Sequence, residues 1–96
     1  MRPSEALAKN RDAVLAILAR YPVANPRVFG SVARGEDKED SDLDLVIDAA
    51  GPLTYYDLAG IELDLSELLD HRVEIGVFAD LRMPVRTTIA KDLRPL

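Results

Sequence analysis

Hydrophobic positions fall into blocks whose spacing changes along the chain. Leu7, Val14, Ile17, Leu18 and Tyr21 recur close to helical spacing, while Lys9, Asn10, Arg11, Asp12 and Arg20 lie mostly elsewhere around the cylinder. This predicts one amphipathic helix over residues 4–20. Ser4 is placed to cap its start, and Pro22 lies just past its end, where it discourages continuation. Arg27-Val28-Phe29 is a short β-leaning run that stops at Gly30-Ser31. Residues 35–41 have no apolar periodicity and read as a solvated loop. From Asp42 to Asp48 the pattern alternates: Leu43, Leu45 and Ile47 share one side, and Asp42, Asp44, Val46 and Asp48 the other. That is a strand with one apolar face and one mainly acidic face.

Ala49-Ala50-Gly51-Pro52 ends this strand, and Thr54 with Asp57 three residues on resembles a capping box. Leu58, Ile61, Leu65, Leu68 and Leu69 then recur at helical spacing, with Glu62, Asp64 and Glu67 off the stripe, which makes the clearest helix in the chain. Val73, Ile75 and Val77 alternate with Glu74, Gly76 and Phe78 as in a second strand of the sheet. Pro84 can start a last helix in which Val85, Ile89 and Leu93 are spaced by four. The order helix, strand, strand, helix, strand, helix predicts an α/β (α+β) domain, a small mixed β-sheet with helices packed on one face.

Composition narrows the class. A chain of 96 residues has room for one compact domain, taken here as residues 1–96. With 48% hydrophobic and 30% charged residues it is too apolar for intrinsic disorder. A net charge of -5 and a pI near 4.7 argue against direct nucleic-acid binding and suit a basic protein partner better. The absence of cysteine excludes a disulfide framework or a thiolate metal site. No apolar stretch is long enough for a signal peptide or a membrane span, so no membrane association and a cytoplasmic location are expected.

Asp42 and Asp44 lie two apart on a strand, which aims both carboxylates the same way, and a shared cation would remove their repulsion. Gly30-Ser31 follows directly on a strand, so backbone N–H groups and the Ser31 hydroxyl can face phosphate oxygens, with no Cβ on Gly30 to block the approach. A phosphate cradle beside clustered hard carboxylates is what Mg²⁺-dependent nucleotidyl transfer requires. Two such ions about 3.5–4 Å apart can serve both the attacking and the leaving oxygen. Arg34 either balances phosphate charge or pairs with the acids of the loop.

The stretch Gly30-Ser31-Val32-Ala33-Arg34-Gly35, with Ser41-Asp42-Leu43-Asp44-Leu45-Val46 after it, resembles the signature of the polymerase-beta-like nucleotidyltransferases: Gly-Ser, ten residues, then Asp-x-Asp. The short length and the Arg-Gly pair make it most similar to the minimal nucleotidyltransferases (MNT), the antitoxin half of HEPN–MNT toxin–antitoxin pairs. The resemblance implies that Asp42 and Asp44 bind Mg²⁺, two ions in all, and that Gly30 and Ser31 hold phosphates, with Arg34 beside them. It also implies a third acid on a neighbouring strand, which shares a metal and activates the attacking hydroxyl. Glu74 in Arg72-Val73-Glu74-Ile75-Gly76 occupies that place, one methylene longer than the family's usual Asp.

Larger members of the superfamily append a helical domain that holds nucleoside and acceptor. The resemblance therefore implies an acceptor delivered by a partner: AMP passes from ATP to a tyrosine of the cognate HEPN toxin ribonuclease, in a hetero-oligomer. The alternatives are an antitoxin that masks its toxin by binding alone and, third, a small-molecule nucleotidyltransferase. Outside the motif the expectations are plainer. Glu36, Asp37, Glu39 and Asp40 form a solubilising loop; Asp48 ends its strand; and His71 faces a helix C-terminus. Tyr55 and Tyr56 pack at a helix start, while Arg82, Arg86, Lys91 and Arg94 are surface charges.

Overall fold

A computed structural model describes all residues, 1–96. Where one N-terminal helix was expected there are two, α1 (Pro3–Lys9) and α2 (Arg11–Leu18). The break is at Asn10, whose side-chain Nδ2 and backbone N–H both donate to the Ala6 carbonyl, at 2.9 and 3.0 Å. A side chain that competes for a backbone acceptor is the usual reason Asn interrupts a helix. The apolar stripe survives the kink: Leu7, Val14 and Leu18 are all buried.

Arg2, not Ser4, is the N-cap. Its backbone N–H and its Nε both donate to Glu5 Oε1, at 3.0 and 3.1 Å, and Pro3 fills the first turn. The Ser4 N–H instead donates to Asp37 Oδ2 at 2.9 Å. Asp37 is thus no solvated loop residue; it is 4% exposed and ties the 35–41 loop to α1. Desolvation opposes its ionisation, but the hydrogen bonds from Ser4 and its own backbone and the charge of Arg2 outweigh it, and its pKa lies below the ordinary carboxylate value.

Strand β1 (Val23–Phe29) starts earlier than its β-leaning core because it bulges at Asn25-Pro26, between Ala24 and Arg27. The five-residue helix α3 (Gly30–Arg34) follows without a linker, and β2 (Leu43–Ala49) comes after the loop. α4 (Tyr55–Leu69) opens on the expected capping box, in which Thr54 Oγ1 accepts from Asp57 N and Asp57 Oδ2 accepts from Thr54 N. β3 (Val73–Val77) leads through a 3₁₀ turn (Phe78–Asp80) to α5 (Met83–Ala90), which stops before Leu93. A two-residue strand β4 (Arg94–Pro95) completes the chain and had no counterpart in the hydrophobic pattern.

The sheet order is β3-β2-β1-β4, with β2 parallel to β3 and the other pairs antiparallel, so the sheet is mixed as expected. Val28, Leu45 and Ile75 sit in one row across the three long strands. On that face α1, α2 and α4 bury Leu43 and Leu45 against Leu7, Val14, Leu18, Ile61, Leu65 and Leu69. The opposite face divides. Its Arg27–Val46–Gly76 row is covered: Val46 has no exposure, Leu81 lies 3.9 Å from where a Gly76 Cβ would be, and the Phe78 ring meets the Arg27 and Arg86 guanidinium groups, 5.1 and 5.3 Å from its centre. The neighbouring Phe29–Asp44–Glu74 row carries two acids side by side.

Leu65→Ala, at a site with no exposure, is expected to lower the unfolding free energy by about 2–5 kcal/mol, whereas Leu63→Ala on the same helix, 60% exposed, changes it by less than about 0.5 kcal/mol. Denaturant titration of the two variants measures the difference.

Candidate active site

Alternation along β2 puts Asp44 on the face away from the core, and sheet register does the rest. Asp44 pairs with Phe29 of β1 and with Glu74 of β3, so three strands bring the Gly30 turn and both acids into one row. Asp42 lies one residue before β2 and is half-buried, as is Asp44. The turn before it is closed by Ser41, whose Oγ accepts from Lys38 N at 2.8 Å.

Gly30 is confined twice. Its φ of +74° is left-handed, and an added Cβ would stand 2.6 Å from Asp44 Oδ2. Only glycine lets the turn pass this close to a carboxylate. Ser31 is the second residue of α3, half-buried at its N-terminal end.

Burial raises the pKa of Asp44, and the charges of Glu74 and Asp42 raise it further, while Arg34 opposes them. Three charged groups thus bear on Asp44. They are not a closed cage: no three of the chain's histidine, aspartate and glutamate side chains converge into a ready ligand set. Glu74 sits on the edge strand, half-exposed, and pairs with Arg72 at 3.2 Å. Arg34 pairs with the loop acid Glu36 at 2.6 Å and with Asp92 at 2.9 Å.

The donor set suits a hard cation. It consists of carboxylates, one of them held half-buried beside two like charges that a divalent ion would offset, next to a cradle that a Cβ would fill. Asp48, on the same face, is already satisfied by Arg27 at 2.7 Å and Asn25 at 3.2 Å, and its pKa is lowered by these contacts. It ends the strand and stays out of the site.

The profile of the nucleotidyltransferase domain family matches residues 11–96. The chain belongs to that family. Among relatives of this nucleotidyltransferase is the protein adenylyltransferase MntA of Thermococcus cleftensis, 32% identical over 74 residues, 77% of this chain and 75% of the relative. A solved structure of a candidate minimal nucleotidyltransferase superposes with a TM-score of 0.84 at 42% identity, over 97% of this chain and 95% of that one. A chain in the complex of a tri-AMPylated Shewanella oneidensis HEPN toxin with an MNT antitoxin shares the fold at a TM-score of 0.70 and 16% identity, over 92% of this chain and 69% of that one.

Other residues of the nucleotidyltransferase depart from expectation. Tyr55 and Tyr56 do not pack at the start of α4; they are 89% and 91% exposed. Beside them, a groove lined by Leu53, Leu58, Val77 and Ala79 lies beyond the far end of β2, away from Asp44. Arg86 and Arg94 are not free surface charges. Arg86 donates to the Ala79 carbonyl at 2.7 Å and Arg94 to the Ala33 carbonyl at 3.0 Å. Asp92, bonded to Arg34, had no signal in the sequence because 58 positions separate the two.

Two outcomes test this geometry. A carboxyl whose folded pKa is raised adds stability below its unfolded pKa and loses it as pH rises through the folded one. Asp44→Asn is therefore expected to raise the Tm of the metal-free protein at pH 7 by about 2–4 °C, a gain that fades as pH falls toward about 4. A variant that melts at or below wild type at pH 7 contradicts the repulsion. Gly35 shares the left-handed φ of Gly30 but has nothing within 4 Å of its Cβ position. Gly35→Ala should cost about 1–2 kcal/mol from backbone strain alone, and Gly30→Ala clearly more. Equal costs would remove the argument for close approach to Asp44.

Proposed function

We propose that this nucleotidyltransferase transfers AMP from ATP to a tyrosine hydroxyl of a cognate HEPN toxin ribonuclease, and so acts as the antitoxin of a cytoplasmic pair. The observation that carries the reading is the Phe29–Asp44–Glu74 row, which sets the Gly30-Ser31 turn beside the acids. The MntA relative and the shared fold with the AMPylated toxin complex support the substrate and the partner.

Each residue has a role in that chemistry. Gly30 and Ser31 receive the triphosphate, and Arg34 offsets part of its charge. Asp42, Asp44 and Glu74 would hold Mg²⁺, which when bound neutralises charge on the triphosphate and on the departing pyrophosphate. The acceptor oxygen attacks the α-phosphorus as the bond to the β-phosphate bridging oxygen breaks; pyrophosphate leaves, and the Glu74 carboxylate takes the hydroxyl proton. To do so Glu74 must leave Arg72, an exposed pair that holds it by no more than about 1 kcal/mol. The acceptor tyrosine arrives on the toxin, which supplies its own binding surface.

Two observations favour a second reading, a toxin-masking protein with a weak site: the third acid is Glu, and the acids do not close into a ready ligand set. Labelled ATP, Mg²⁺ and the purified toxin separate the two. The expected outcome is label on the toxin with wild type, a loss of about 100-fold or more in Asp42→Asn/Asp44→Asn, and none after chelation. No transfer by wild type, or equal transfer by the double variant, leaves masking as the function.

A further inference from the structure

The C-terminal segment reaches back to the Gly30–Arg34 turn at two points. Arg94, in register with Val28 across β1 and β4, donates its Nε to the Ala33 carbonyl at 3.0 Å, and this holds the last turn of α3. Asp92, two residues after α5, accepts from Arg34 Nη1 at 2.9 Å. The segment is itself anchored: the Leu96 N–H donates to the Pro26 carbonyl at 3.1 Å, and the Leu96 side chain packs against the core. Arg34 is thereby tied to an anchored point remote in sequence, and not only to its exposed neighbour in the chain, Glu36, whose side chain is 63% exposed against 24% for Asp92.

A guanidinium has five N–H donors in a rigid plane. Two carboxylate bonds fix that plane and leave three donors for another anion. We propose that Asp92 is a positioning residue for the nucleotide, which holds Arg34 so that its unspent donors face the triphosphate. The inference rests on the reading of residues 30–34 as the nucleotide-binding turn. Stability alone does not account for the arrangement, since ion pairs this exposed contribute about 0–1 kcal/mol. Asp92 also brings a negative charge toward a phosphate site, a cost that orientation of Arg34 offsets.

Binding of a fluorescent ATP analogue with Mg²⁺ to wild type, Asp92→Ala, Asp92→Asn, Arg34→Ala and the double variant Arg34→Ala/Asp92→Ala tests this, with Tm measured for each. Asp92→Ala is expected to weaken binding about tenfold; in the Arg34→Ala background the same change has an effect of less than about twofold, as coupling through one side chain requires. Asp92→Asn, which keeps an oxygen acceptor for Arg34, should bind within about threefold of wild type. In steady-state transfer, KM for ATP rises in Asp92→Ala more than kcat falls. Wild-type-like binding by Asp92→Ala, or an equal loss with and without Arg34, overturns the proposal. If Asp92→Ala does not fold, Asp92→Ser serves in its place and carries the same expectation. Failure of wild type to bind the analogue at all removes the nucleotide-site reading, and this inference with it.

Discussion

Strand β2 must satisfy two environments at a spacing of one residue. Leu43, Leu45 and Ile47 are sealed from water, while Asp44 between them has to remain ionisable and reachable. The two-residue period of a strand makes this possible and also makes it rigid, because a slip of one position would bury the aspartates and expose the leucines. Everything nearby follows from that fixed register. β1 must end where Gly30 can turn across Asp44, and β3 must run parallel so that Glu74 falls beside it.

A parallel neighbour needs a crossover, and α4 supplies it along with much of the core. The same helix finishes the edge of the sheet. Ser66 Oγ accepts from the Val73 N–H at 3.1 Å and Glu62 Oε2 from the Ile75 N–H at 2.8 Å. Outward donors of β3 on either side of Glu74 are thus spent on α4, which blunts the edge against pairing with another chain and fixes the strand that carries the third acid. At the opposite edge β4 is only two residues long and contains Pro95, which offers no N–H.

What the sequence disclosed is what local pattern can encode. The alternation in β2, the stripe and capping box of α4, and the Gly-Ser turn all depend on neighbours within a few residues, and each is present in the fold. The misses have a common cause. Asn10 sits where helical spacing continues, yet its backbone leaves helical geometry at φ -114° and ψ 21° while its amide adds a second bond to the Ala6 carbonyl, which spacing does not register. Asp37 looked like one more loop acid until the fold set it against the Ser4 N–H, 33 positions away. Arg34, open between phosphate and loop acids, has Glu36 as the local partner and Asp92 as the distant one. β4 is too short to show periodicity, and Tyr55 and Tyr56 carry apolar rings onto a surface with nothing of this chain to cover them.

The acids themselves sort structure from chemistry. Asp37, Asp48, Asp57, Asp64 and Asp92 each accept a hydrogen bond from a named partner, so folding explains them. Asp44 differs: burial and two like charges act against its ionisation, no hydrogen bond compensates, and Arg34 alone pulls the other way. A half-buried carboxylate in that position destabilises the domain that carries it. Asp44 stands there with a glycine opposite that no other residue could replace without collision, and the proposed Mg²⁺ and nucleotide would supply the charge balance that the chain itself lacks. Local disagreement with the rules of stability, confined to one row of one sheet face, is therefore the strongest structural pointer to where this small domain does its work.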